Sequence, residues 1–60
     1  MSGENWERVA LARTREDAIR QFEAWKDRAG LTPADEDIRL NRGRHADGKD
    51  YWEIIYFRPQ

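Results

Sequence analysis

His45 is the one imidazole in the chain. Acid–base or nucleophilic work would require a second group held beside it. The hairpin register derived below gives it only Asp50, at the open end of a turn, and predicts a solvated turn-side histidine. Asp35, Glu36 and Asp37 are consecutive carboxylates. They lack the alternating oxygen ligands and central glycine of a calcium loop, and read as a solvated linker capping a turn. Gly30, Gly43 and Gly48 fit neither a P-loop nor a dinucleotide fingerprint by spacing. Arg42, Arg44 and Glu53 could hold an anionic substrate, but no nucleophile–base pair accompanies them. The sequence therefore predicts no catalytic residue, no metal ligand, no cofactor site and no small-molecule substrate. The expected function is not enzymatic.

The absence of cysteine excludes a disulfide-stapled scaffold and thiolate metal sites. The segment Met1 to Glu7 lacks a basic region followed by an apolar run, and no apolar stretch is longer than the four residues Ile54 to Phe57. Neither a secretory signal nor a membrane span is expected, and a cytoplasmic location is the default expectation. Eleven Lys and Arg against twelve Asp and Glu give a net charge of −1, which argues against non-specific polyanion binding.

The residues with the most to offer a partner are aromatic and arginine side chains, so the elements that carry them decide the reading. Sixty residues make one small domain, with Met1 to Asn5 expected as a frayed end. Trp6 to Arg13 alternates as a strand, with Val9 and Leu11 on one face and Trp6, Arg8, Ala10 and Ala12 on the other. Thr14 to Gly30 reads as a helix: Ala18, Ile19, Phe22, Trp25 and Ala29 form its apolar stripe. Thr14 caps its start, with Asp17 three residues on, and Gly30 supplies a left-handed end. Glu16 and Asp17 lie in its first turn, Lys26 and Arg28 in its last, which suits the helix dipole.

Ile38 to His45 and Asp50 to Arg58 read as a hairpin around Asp47-Gly48. A two-residue type I′ loop puts Ala46 opposite Lys49. One face then pairs Ile38 with Phe57, Leu40 with Ile55, Arg42 with Glu53 and Arg44 with Tyr51. The other pairs Arg39 with Tyr56, Asn41 with Ile54, Gly43 with Trp52 and His45 with Asp50. Pro59 is expected to close the last strand.

The predicted fold class is α+β, of βαββ order: a three-stranded sheet in order 1-3-2, strand 3 central, with one helix on one face. The predicted core is Val9, Leu11, Ala18, Ile19, Phe22, Trp25, Leu31, Ile38, Leu40, Ile55 and Phe57. The uncovered face would show Trp6, Arg8, Arg39, Trp52, Ile54 and Tyr56, residues of the types enriched at binding hot spots. The expectation is a protein-interaction domain, a homodimer or an inhibitor or accessory subunit of a larger protein. Small βαββ domains occur among phage-encoded inhibitors, a parallel of architecture that carries no function by itself. The alternative is single-stranded RNA or DNA stacked on the same face. Near-neutral charge and the lack of an RNP-like motif weigh against it.

Overall fold

The computed structural model describes residues 6–58. The expected frayed end at Met1 to Asn5 and the expected strand end at Pro59 lie outside the described residues. In chain order the elements are β1 (Trp6–Ala12), α1 (Arg15–Ala29), a short 3-10 turn (Asp35–Asp37), β2 (Ile38–Arg44) and β3 (Asp50–Phe57). The sheet has the order β1-β3-β2, antiparallel throughout, with β3 central. The helix packs over β1 and β3. The fold is therefore the α+β, βαββ arrangement expected from the pattern of elements.

Helix α1 begins and ends where its chemistry dictates. Thr14 keeps an extended backbone while its Oγ1 accepts the Asp17 N–H at 3.1 Å. That satisfies one of the orphan donors of the first turn, a contact of about 1 kcal/mol. At the far end Gly30 takes φ 66°, and its N–H returns to the Lys26 carbonyl at 2.8 Å. A side chain at that angle would be strained, so glycine ends the helix at little cost. Arg20 pairs with Asp17 at 3.1 Å across one turn.

The hairpin departs from the expected register. His45 donates to the Lys49 carbonyl at 2.8 Å, and Gly48 donates to the His45 carbonyl at 2.9 Å. The loop is thus Ala46-Asp47-Gly48, three residues long. Gly48 has φ 88°, and no described non-glycine residue has positive φ. This is a type I turn closed by a left-handed glycine, in which only Gly48 needs the unusual backbone. A type I′ turn would force Asp47 there as well. Asp47 instead accepts the Lys49 N–H through its Oδ1 at 3.0 Å.

One extra loop residue moves every pair by one position. Ile38 lies opposite Tyr56, Leu40 opposite Ile54, Arg42 opposite Trp52, Gly43 opposite Tyr51 and Arg44 opposite Asp50. Because side chains alternate, a one-residue slip exchanges the two faces of one strand relative to the other. A second irregularity lies in β1, where the pairing shifts between Arg8 and Ala10. The extra residue there, Val9, forms a bulge and lets strand alternation reverse partway. Trp6 and Arg8 consequently face away from the helix, while Ala10 and Ala12 face it.

The core differs accordingly. Ala10 (4% exposed), Ala18, Phe22 and Ile54 (3%) form its centre, with Val9, Ala12, Ile19, Trp25, Ile38 and Trp52 packed around them. Tyr56 is buried as well, its ring 5.2 Å from that of Trp25. Ala18, Phe22 and the partly buried Val9, Ile19, Trp25 and Ile38 sit where the sequence placed them. Leu11, Leu31 and Leu40 are exposed instead. Ile55 and Phe57 belong to the opposite face. The alanines that make β1 a weak strand by propensity are what allow α1 to approach it, since Ala10 and Ala18 leave no bulk between the two elements.

Candidate interaction surface

The helix-covered side of β3 carries Trp52, Ile54 and Tyr56. The sequence predicts these three on the open face; instead Ile54 and Tyr56 are buried, and Trp52 is half-buried against the core. The extra loop residue and the bulge at Val9 are together the physical cause. The Arg42 guanidinium lies 5.6 Å from the Trp52 ring centroid on this side. Of the remaining expected residues, Trp6, Arg8 and Arg39 do share one surface, the sheet face without a helix.

That open face is built from Trp6, Arg8 and Leu11 on β1, Tyr51, Glu53, Ile55 and Phe57 on β3, and Arg39, Asn41 and Gly43 on β2. Trp6 and Phe57 are directly opposed, with ring centroids 5.2 Å apart and planes inclined at 58°. Tilted aromatic pairs of this kind are favourable beyond their area. Arg39 places its guanidinium 5.4 Å from the Trp6 ring. The same group donates to the Glu36 and Ile38 carbonyls, each at 3.0 Å. At the other end, Tyr51 lies across Gly43, and the His45 ring rests 4.6 Å from it.

Charge on the face is internally matched. Arg8 donates through Nε to Glu53 Oε2 at 3.1 Å, and the Glu53 side chain is only 17% exposed. Glu53 was expected to pair with Arg42. Arg42 instead reaches Asp50 on the helix side at 2.8 Å, where Arg44 joins it at 3.0 Å. The two guanidinium hydrogen bonds hold the Asp50 carboxyl below its ordinary value of 3.8. His45 is exposed, and no pocket opens among the described residues.

Ile55, Phe57 and Tyr51 were missed as surface residues because β3 is apolar on both sides. Glu53 was the available signal. It sits in the middle of its row, between Tyr51 and Ile55, whereas the other row keeps its one charge, Asp50, at the strand's end and runs on uncharged through Trp52, Ile54 and Tyr56. The row whose middle is free of charge belongs under the helix.

No protein-family model, curated protein or solved structure matches the chain. Among the described residues no helix is long and apolar enough to cross a membrane.

Proposed function

We propose that this chain is a non-catalytic protein-interaction domain whose open sheet face docks on a second copy of itself. The observation that carries this reading is the row Trp6, Phe57, Ile55 and Leu11 beside an Arg8–Glu53 pair that is already satisfied within the protomer. A neutralised pair can be covered with less desolvation cost than a lone charge. Two such faces meeting would give four layers, helix–sheet–sheet–helix, with the aromatic rows between the sheets.

The monomer's own core supports a second copy as the occupant. Apart from alanine, only Phe22, Ile54 and Tyr56 are buried apolar side chains among the described residues. The described residues form a slab only 17 Å thick along its shortest axis. Domains of this size commonly complete their cores by association. A nucleic-acid reading fits the face less well. Its guanidiniums are engaged by Glu53, by backbone carbonyls and by the Trp6 ring, and the Glu53 carboxylate would oppose phosphate.

Sedimentation equilibrium over a wide concentration range tests this. The expected mass is twice the 7.2 kDa of one chain, falling to the single-chain value for Trp6→Glu at unchanged helix content. A wild-type chain that stays monomeric throughout overturns the reading. So does tight, steeply salt-dependent binding of single-stranded homopolymer that Trp6→Ala abolishes.

A further inference from the structure

The two edges of the sheet differ. On β1 the outward Leu11 N–H is covered by the Gln21 side chain of the helix, which accepts it at 2.9 Å. The β2 edge has no such cover. His45 turns its N–H toward β3, so Gly43, Asn41 and Arg39 do the same by alternation, and Ile38, Leu40, Arg42 and Arg44 turn outward. Ile38 is satisfied locally, by the Asp35 carbonyl and the Arg39 guanidinium. Among the described residues, the backbone groups of Leu40, Arg42 and Arg44 have no partner.

The side chains on this edge have a definite chemistry. Strand β2 contains Arg39, Arg42 and Arg44 and no acid. Arg42 and Arg44 share the single carboxylate of Asp50 and remain 59% and 70% exposed, which leaves positive charge in excess. Leu40, on the same side as both, is 38% exposed because α1 covers β1 and β3 and stops short of β2.

We propose that the β2 edge takes up an extended acidic peptide segment of another protein as a fourth strand, with an apolar residue over Leu40 and carboxylates against Arg42 and Arg44. Open backbone groups supply the ladder, and the side chains select the sequence. Arginines on an edge discourage the pairing of like edges, so this charge row selects an acidic strand over a second β2. The inference is independent of the open face, since the edge and the face are different surfaces.

The probe is the labelled peptide Glu-Thr-Glu-Thr-Val-Glu-Val, written to run antiparallel to residues 44 to 38, with binding read by fluorescence anisotropy. Saturable binding is expected, weakening roughly fivefold for Arg44→Ala, the scale of one exposed charge contact. N-methylation of its first, third and fifth residues should abolish binding, because those amides face the edge. N-methylation of the second and fourth should leave it intact. Trp6→Glu should also leave it intact, which separates this result from failure of the face. No saturable binding to the wild-type chain, or equal binding of both methylated peptides, overturns the proposal.

Discussion

Tyr51 occupies the space that a side chain on Gly43 would need: a Cβ built at 43 would lie 2.4 Å from both Cζ and Oη of the tyrosine. The two residues are cross-strand partners on the open face. The ring covers the strand at its least protected residue, a known means of stabilising a glycine in a sheet. Gly43→Ala should therefore expel the Tyr51 ring and cost about 1 kcal/mol, the scale of a cross-strand pair. A thermodynamic cycle with Tyr51→Ala checks it. The double variant should be no less stable than Tyr51→Ala alone, because the two changes remove one interaction.

The turn offers a second check. Gly48 has φ 88° with open space around the position of a Cβ, so any penalty there is conformational. Gly48→Val should cost at least about 1–2 kcal/mol, because a β-branched residue resists the left-handed region. Asp47→Ala should cost only its hydrogen bond to Lys49, about 1 kcal/mol, since Asp47 is not at positive φ. Denaturant melts of the two variants measure both.

These positions also show how far the sequence could be read. The strands, the helix, both helix caps and the 1-3-2 sheet order were legible, because each rests on local chemistry: Thr14 and Gly30 for the helix, alternation for the strands. The facing of the sheet was not. Asp47-Gly48 fits a two-residue and a three-residue loop equally well as a pair of residue types. The choice turns on the backbone angle of Asp47, which its identity leaves open. The bulge at Val9 likewise has no marker in a run of small and branched residues. Together these two irregularities moved Trp52, Ile54 and Tyr56 under the helix and left Trp6, Arg8 and Arg39 outside. The charge at Glu53 was the one local clue to that outcome.

Phe22 is the largest apolar side chain that α1 buries, and it stacks on Trp25 at 5.8 Å. Phe22→Ala should cost about 3–5 kcal/mol, which is comparable with the whole stability of a domain this small. Thermal unfolding followed by circular dichroism checks this. A melting temperature equal to that of the wild type would mean that α1 packs by another face.

Asp50 predicts an acid-range signature. Its carboxyl is held below the ordinary value by hydrogen bonds from Arg42 and Arg44. The folded state therefore binds the proton less readily than the unfolded chain. The resulting stabilisation is fully present above the unfolded value and disappears as pH falls through the lower folded one. Asp50→Asn should be less stable than the wild type at neutral pH, with the gap closing as pH falls below the ordinary carboxyl value of 3.8. Melts across that window decide it, and a gap that persists unchanged in acid would show that Asp50 acts by packing alone.

The open face as a self-docking surface is tested most directly by isotope-filtered nuclear Overhauser spectroscopy on a mixture of labelled and unlabelled chains. The expected result is a set of contacts between protomers from the Trp6 indole and the Phe57 ring to Ile55 and Leu11 of the second copy, absent in Trp6→Glu. Contacts between protomers confined to α1 or to β2, or none at concentrations where Trp6 and Phe57 signals are sharp, would contradict it.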